Sequence, residues 1–165
     1  MGRWVADVST PSSLRRAYLL LVAAVATTMS MSCRDKDVVT ESYATMAEAR
    51  EAGAPGRADL PQGLPEGVYE IRTASDLNSG RRWGLFNFLQ RDADAIRSGL
   101  GADEMSLEGV ECDIPGRIEW WPALLRGLVN AEHAKAASLQ AYRSRQGGLI
   151  VVVNWKQGRA YYWKG

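Results

Sequence analysis

Cysteine and histidine are scarce in this chain, which has two Cys and one His among 165 residues. A structural zinc site of the usual type needs four such ligands, and a disulfide-rich mini-protein needs several cysteine pairs. Both classes are therefore excluded. The chain also lacks the P-loop, G-x-G-x-x-G and H-E-x-x-H patterns, so we expect neither a metal nor a cofactor.

An excess of charge of one sign is also absent, because the formal net charge is +1. Nucleic-acid-binding domains usually carry a strongly basic surface, so no nucleic-acid partner is expected. What is present fits one ordinary globular domain, since 46% of the 165 residues are hydrophobic and 24% are charged.

The N-terminal 32 residues have the features of an export signal. Arg3, Arg15 and Arg16 supply positive charge before the apolar run Ala17–Ala26. That run is too short for the ~20 apolar residues of a membrane-spanning helix and fits the ~7–15 of a signal peptide. We predict a signal peptide over residues 1–32. An uncleaved membrane anchor is the alternative, and the Arg pair leaves twin-arginine export open beside the general secretory route.

Two cleavage sites compete within this segment. Ala24–Ala26 is an A-x-A site that would release a soluble periplasmic or secreted protein, whereas Ser30–Cys33 resembles the box in which bacterial lipoproteins are lipidated. We predict lipidation of Cys33, which would attach the chain to a membrane. Arg34 in place of Asp after this cysteine resembles the pattern that enterobacterial sorting rules direct to the outer membrane, and this resemblance implies a domain that faces the periplasm.

The second cysteine, Cys112, has two interpretations. If Cys33 carries lipid, Cys112 is a single thiol in an oxidising compartment and should be buried or available for an intermolecular bond. If Cys33 is not lipidated, a Cys33–Cys112 disulfide becomes available.

The remaining pattern predicts a tether over residues 33–43 and one domain over residues 44–165. We expect an α+β fold, with a mainly antiparallel sheet of about five strands and three or four short helices packed on one face. The capping box Thr45–Glu48 opens the first helix. The predicted strands are Val68–Ala74, Arg82–Leu89, Leu139–Arg145, Gly148–Trp155 and Arg159–Trp163, and the predicted helices are Thr45–Ala52, Asp92–Leu100, Ala123–Arg126 and Ala131–Ser138.

Charge is distributed unevenly along this domain. Residues 33–116 carry nine basic and sixteen acidic residues, a net of −7, whereas residues 126–165 carry seven basic residues against Glu132, a net of +6. The two parts would neutralise each other if they packed together. Alternatively, a basic patch would bind anionic lipid or an acidic partner; its members would be Arg143, Arg145, Lys156, Arg159 and Lys164.

Several residues are candidates for chemistry or binding. Carboxylates between Asp103 and Glu119, followed by Trp120 and Trp121, would suit a glycosidase or a peptidoglycan-binding site, although such a density of acids is typical of a solvated loop. The members of this acidic segment are Asp103, Glu104, Glu108, Glu111, Asp113 and Glu119.

Three further groups carry two interpretations each. Asp76, Asn78 and Ser79 would bind a ligand or simply shape a turn. His133 is typical of a solvated helix surface. The aromatic residues of the predicted strands would form either a binding groove or core; they are Trp83, Trp155, Trp163, Tyr161 and Tyr162.

Parts of the chain resemble small bacterial lipoproteins that carry a YbbD head domain. The resemblance covers about residues 43–100 and the last fifteen, and it implies no particular activity. It rests on Tyr43–Arg50, Leu64–Pro65, Ile71, Asp76–Ser79, Trp83, Phe86–Phe88 and Gly158–Trp163. The chain departs from the pattern at three positions, with Ser75 in place of His, Asn78 in place of Asp and Gly80 in place of Asn.

These observations favour an envelope lipoprotein whose domain binds an envelope protein or peptidoglycan without performing chemistry. The predicted interaction surface comprises Asp76, Asn78, Arg143, Arg145, Lys156 and Arg159. Two alternatives remain: an envelope hydrolase that uses the acidic segment 103–119, and an immunity-type inhibitor of a secreted toxin. The sequence does not predict an oligomeric state.

Overall fold

The computed structural model describes residues 37–100, 102–144 and 148–164. The predicted signal peptide over residues 1–32, the predicted lipidation site Cys33 and the basic residue Arg145 lie outside these ranges. Within them, no helix has the length and apolar character needed to cross a membrane.

The described residues form nine strands, three α-helices and two short 3-10 turns. The strands are β1 (Val38–Thr45), β2 (Tyr69–Asp76), β3 (Arg82–Asn87), β4 (Ala102–Met105), β5 (Glu111–Cys112), β6 (Gly127–Leu128), β7 (Leu139–Ser144), β8 (Ile150–Asn154) and β9 (Arg159–Lys164). The helices are α1 (Met46–Glu51), α2 (Ala93–Leu100) and α3 (Ala131–Ala136), and the 3-10 turns are Gln90–Asp92 and Ala123–Leu125.

Seven strands form one sheet in the order β1-β2-β3-β9-β8-β7-β4, and β5 pairs with β6 in a separate ribbon. Every pairing is antiparallel. The expected α+β class with a mainly antiparallel sheet is confirmed. The number of strands exceeds the five that were predicted, and the predicted helix Ala123–Arg126 is a 3-10 turn, Ala123–Leu125, that follows Pro122.

The centre of the sheet is apolar on both faces, as the sequence predicts. In β3, Trp83 and Phe86 are both at most 2% exposed and belong to different core clusters on opposite faces. In β8, Val151 and Val153 lie on one face and Val152 on the other, and all three are fully buried. Runs that are apolar on both faces therefore mark strands covered from both sides.

The helices cover both faces of the sheet, which corrects the prediction that they pack on one face. On the first face, α1 and α2 bury Met46, Ala49 and Ile96 in a core with Phe86 and Tyr162. On the second face, residues 105–138 contribute a different core, whose members include Cys112, Ile118, Trp121, Leu125 and Ala134. A central sheet with two apolar faces requires cover on each.

The predicted tether over residues 33–43 is too long, because residues 38–43 belong to β1. This strand pairs with β2 from Val38↔Asp76 to Thr45↔Tyr69. Only Tyr43 among its residues is buried. A strand at the edge of a sheet with so little burial can have the composition of a linker. Its sequence therefore does not distinguish an edge strand from a linker.

The predicted capping box at the start of α1 is confirmed. The backbone N–H of Glu48 donates to the hydroxyl of Thr45 at 3.3 Å, and the backbone N–H of Ala44 donates to the carboxylate of Glu48 at 2.7 Å. Two amides without helical partners are thereby satisfied. The second bond also occupies the Ala44 amide on the outer side of β1.

Candidate functional site

The predicted basic patch does not form one cluster. Arg159 lies opposite Asn154, at the end of the sheet next to the β8–β9 turn that carries Lys156. Arg143 lies opposite Ile150, which in turn lies opposite Trp163, at the other end of these strands. Arg145 lies outside the described residues. The four positions between Arg159 and Trp163 correspond to roughly 13 Å along a strand.

Arg159 takes part in a polar row across three strands. Its Nε donates to the side-chain oxygen of Asn87 at 2.7 Å. The amide of Asn87 donates in turn to the carboxylate of Glu70. Asn87 is 5% exposed, so this row satisfies a buried polar group. We infer a structural role for Arg159.

Asp76 and Asn78 lie in the β2–β3 turn. The Asp76 carboxylate accepts hydrogen bonds from the backbone N–H of Asn78 at 2.9 Å and from the backbone N–H and hydroxyl of Ser79 at 3.2 and 2.7 Å. These bonds, that of the Ser79 hydroxyl first, hold the pKa of Asp76 below its ordinary value. The Asn78 side chain donates to Asp37 at 2.6 Å. The arrangement is the one that turn geometry favours.

The acidic segment is spread over several elements. Asp103 and Glu104 lie on β4, where Asp103 is the cross-strand neighbour of Arg143. Glu108 and Glu119 are exposed in loops. Glu111 and Asp113 line a small cavity of about 170 Å³, and Asp113 forms an ion pair with Arg81 at 2.6 Å. The remaining walls of that cavity are Trp83, Trp163 and Lys164.

The predicted aromatic residues are mostly core. Trp83 and Trp163 are each 2% exposed. Trp121 is also buried, its ring packs edge-on against Trp163 with centroids 6.0 Å apart, and its indole N–H donates to the carbonyl of Leu125 at 3.0 Å. Trp120 and Trp155 are half-buried, and His133 is exposed on α3. Core packing therefore accounts for most of this set.

Cys112 is fully buried in the second-face core and its thiol is free. Burial, followed by the nearby charge of Asp113, raises the pKa of this thiol to about 12. A thiol with so high a pKa stays neutral at physiological pH and reacts slowly. The alternative disulfide partner, Cys33, lies outside the described residues.

A cleft lies on the first face, over the ends of β1, β2 and β3. Its volume is about 480 Å³. The strands provide the floor, the β2–β3 turn provides one wall, and the loop between α1 and β2 provides the other. It is lined by Val39, Glu41, Arg57, Asp59, Ser75, Asp76, Leu77, Gly80 and Arg82.

A buried carboxylate organises this cleft. Asp59 is 7% exposed. It accepts hydrogen bonds from Nε of Arg57 at 2.7 Å and from the hydroxyl of Ser75 at 3.1 Å, while Nε of Arg82 lies 3.9 Å away. A charge buried to this degree is tolerated because it is paired and hydrogen-bonded.

The loop conformation places Asp59 at this point. Ala58 has a φ of 58°, in the left-handed region that non-glycine residues rarely adopt. The carbonyl of Ala58 accepts a hydrogen bond from Arg82 at 3.1 Å, and the carbonyl of Asp59 accepts one from the hydroxyl of Tyr162 at 2.5 Å. Two bonds from the sheet thus hold the strained backbone, as expected where surrounding contacts determine a conformation.

Arg57 connects the network to β1. Its guanidinium donates to Glu41 at 2.5 Å, to the hydroxyl of Tyr43 at 3.2 Å and to the carbonyl of Ala52 at 2.6 Å. Its bonds to Asp59 and Tyr43 raise the pKa of Arg57 above its ordinary value. Burial and the hydrogen bond with Glu41 raise the pKa of Tyr43. Both groups therefore keep their protons in the physiological range.

The cleft combines this fixed charge network with exposed apolar groups. Leu77 is 71% and Val39 45% exposed. Exposed apolar side chains beside oriented hydrogen-bonding groups are also the composition of many protein interfaces. Among the described residues, no group of three or more His, Cys, Asp or Glu side chains is arranged to hold a metal ion.

Sequence reasoning found Asp76 but missed Arg57, Asp59 and Arg82. Ser75 and Arg82 lie 16 and 24 positions from their partners in the loop, and no motif has this spacing. Locally the sequence shows Asp59 as one of two acidic residues, with Glu66, in a loop rich in Gly and Pro.

A search of protein-family models, curated proteins and solved structures finds no match to this chain.

Proposed function

We propose that this chain is a bacterial envelope lipoprotein whose α+β domain binds a protein partner and performs no chemistry. Its membrane attachment would be a lipid on Cys33, and its location the periplasmic side of the outer membrane. The predicted export signal over residues 1–32 and the cysteine after Ser32 support this proposal. The resemblance to lipoproteins with a YbbD head domain is a second line of support.

The exposure of Leu77 beside the charge network of the cleft is the observation that carries the binding proposal. Leu77 is 71% exposed in a turn, and it lines the same cleft as Arg57 and Arg82. Covering Leu77 with a partner would remove its apolar surface from water, which is a favourable change. Apolar side chains rimmed by charge, with arginine among them, are typical of protein interfaces.

The charges of the cleft indicate the chemistry of the partner. Glu41 and Asp59 are already bonded to Arg57. Arg82 approaches Asp59 only at 3.9 Å and is 29% exposed in its side chain. Arg82 therefore retains donor capacity for an acceptor on the partner. We propose a protein segment that presents an apolar side chain to Leu77 and a carboxylate or carbonyl oxygen to Arg82.

Replacing Cys33 with Ala tests the membrane attachment. We expect the parent chain in the membrane fraction with a mass raised by acyl chains, and the variant unlipidated, because the thiol is the group that accepts the lipid. Intact-mass measurement with fractionation reads out both. Cys112→Ala is the matched control and should remain lipidated. An unmodified mass beginning at Thr27 in the parent would contradict the proposal.

Replacing Leu77 with Arg tests the cleft. We expect binding of the envelope partner, purified by crosslinking to the parent chain, to fall about tenfold or more, because a buried apolar contact becomes a buried charge. Leu128→Arg is the matched control, since Leu128 is 73% exposed on β6. Equal losses for both variants, or none for Leu77→Arg, would refute a binding role for the cleft.

A further inference from the structure

We propose that two copies of this chain associate through the free edge of β1, so that their two sheets join across a twofold axis. The proposal does not depend on the proposed function. It rests on which backbone groups of β1 point away from β2, on the side chains of that edge, and on a register in which two copies of this sequence pair each other's outward groups.

The outward-pointing groups follow from the hydrogen-bond pattern. The backbone N–H of Leu77 donates to the carbonyl of Asp37 at 3.2 Å, directly beyond the register pair Val38↔Asp76. Directly opposed residues in an antiparallel ladder alternate between bonded and non-bonded pairs. Odd-numbered residues of β1 therefore bond to β2, and the N–H and C=O groups of Val38, Thr40 and Ser42 point to the outside.

The neighbouring ladder gives the same assignment independently. The backbone N–H of Asp76 donates to the carbonyl of Arg81 at 2.9 Å. Asp76 and Arg81 are the next opposed pair after Ser75 and Arg82. Even-numbered residues of β2 therefore bond to β3, which leaves the odd-numbered ones for β1. The amide of Ala44, which points outward by this count, donates to the Glu48 carboxylate at 2.7 Å.

The edge of β1 lacks the features that usually protect an edge strand. Among Val38–Thr45 there is no Lys, Pro or Gly, and the single charged side chain, Glu41, is bonded to Tyr43 and Arg57. The opposite edge of the same sheet, β4, has only four residues, two of which are Asp103 and Glu104. Charge and shortness protect β4, whereas β1 is left open to pairing.

One antiparallel register with a second copy pairs the outward N–H and C=O groups of Val38, Thr40 and Ser42. In this register Thr40 of one copy lies opposite Thr40 of the other. Val38 of each copy then lies opposite Ser42 of the other copy. Each of these pairs exchanges two N–H···O=C bonds. The central Thr–Thr pair is a favourable cross-strand pair, and Glu41 lies opposite Val39 of the second copy.

The neighbouring registers are worse. A shift by one position in one direction places Glu41 opposite Glu41 of the second copy, and a shift in the other direction places Glu41 opposite Asp37 of the second copy. Like charges directly opposed are destabilising. A further shift centres the pairing on Ser42 and requires the Ala44 amide, which Glu48 already occupies. Among the ways in which two β1 edges can pair, the register centred on Thr40 is therefore the most favourable.

Disulfide trapping tests this register. In the full-length chain with Cys33→Ala, Thr40→Cys places two thiols on the axis, with Cα atoms about 5.5 Å apart and within the range of a disulfide. We expect a covalent dimer on mild oxidation. Ser42→Cys is the matched control, because its two Cα atoms would be separated by roughly 13 Å along the strands. Crosslinking at both positions equally, or at neither, would overturn the proposal.

Removing one outward N–H tests the hydrogen bonds. Thr40→Pro deletes the central outward donor and leaves the bonds between β1 and β2, because proline is tolerated where its nitrogen faces outward on an edge. We expect the dimer dissociation constant in sedimentation equilibrium to rise about tenfold or more, since both copies lose a bond. Thr40→Val retains the N–H and should dimerise like the parent. All three chains carry Cys33→Ala, so that no lipid contributes to association. A chain with Cys33→Ala alone that sediments only as a monomer would overturn the proposal.

Discussion

Replacing Gly158 with Ala is expected to destabilise the fold by about 3–5 kcal/mol. Gly158 ends the β8–β9 turn with a φ of +65°, and a Cβ added there would lie closer than 3.0 Å to the carbonyl oxygen of Phe88. The contact is with backbone, so no side-chain rotation relieves it. The backbone N–H of Phe88 also donates to the carbonyl of Gly158 at 2.7 Å, and the two segments cannot separate without losing that bond.

The effect would extend beyond the turn, because Phe88 and β9 both belong to the centre of the molecule. Phe88 is 2% exposed, and its ring packs edge-on against Trp155 with centroids 5.6 Å apart. β9 lies between β3 and β8 in the middle of the sheet. A displaced Gly158 would therefore disturb the first-face core as well as the hairpin.

Gly80→Ala separates the cost of the left-handed backbone from the cost of the collision. Gly80 also has a positive φ, +71°, in a β-hairpin turn, but no atom lies within 4 Å of an added Cβ. We expect a loss of about 1 kcal/mol there. Urea denaturation of both full-length variants at one protein concentration gives the comparison. Equal losses would show that the close approach of Phe88 contributes nothing.

The sequence predicts the centre of this sheet better than its edges, for a physical reason. β3, β8 and β9 are buried on both faces, so each can be recognised in the sequence from its own apolar run and from the glycines between the runs. β4 carries two acidic residues and β5 and β6 have two residues each, too few for a period-2 pattern to appear. Their positions follow from pairing with distant strands.

The segment that covers the second face of the sheet is difficult to recognise in the sequence, because it carries many charged residues. Between Asp103 and Glu119 the buried residues Leu107, Cys112 and Ile118 alternate with carboxylates. Single apolar anchors in a polar loop resemble a solvated segment, and neither helical nor strand periodicity reveals them. Composition alone would therefore predict a solvated loop, whereas this irregular segment covers the core.

The charge network of the cleft is the feature most distant from local sequence information. Asp59 interacts with two arginines and a serine that belong to the loop, β2 and β3. Each of these residues by itself is unremarkable in its own segment. These residues come together only in the folded chain. The contribution of their network to stability is therefore measured by replacing its members.

Replacing Asp59 with Ala is expected to lower the free energy of unfolding by about 2–4 kcal/mol. The variant leaves Arg57 and Arg82 near each other without the carboxylate that accepts from Arg57, and it leaves the Ser75 hydroxyl unpaired. Breaking a buried ion pair costs about 3–5 kcal/mol. The expected loss is lower here because the Arg57 side chain is 45% exposed and water can solvate it. Urea denaturation measures the change.

Tyr162→Phe provides the matched control, because it acts on the same residue of the loop without touching the carboxylate. Its hydroxyl donates to the backbone carbonyl of Asp59 at 2.5 Å, and losing that bond should cost about 1–2 kcal/mol. If Asp59 acts only by anchoring the loop, Asp59→Ala and Tyr162→Phe should both weaken partner binding in proportion to their stability losses. If the carboxylate orients the arginines, Asp59→Ala should weaken binding well beyond that proportion, because Arg57 and Arg82 would lose their fixed positions while Leu77 stays exposed.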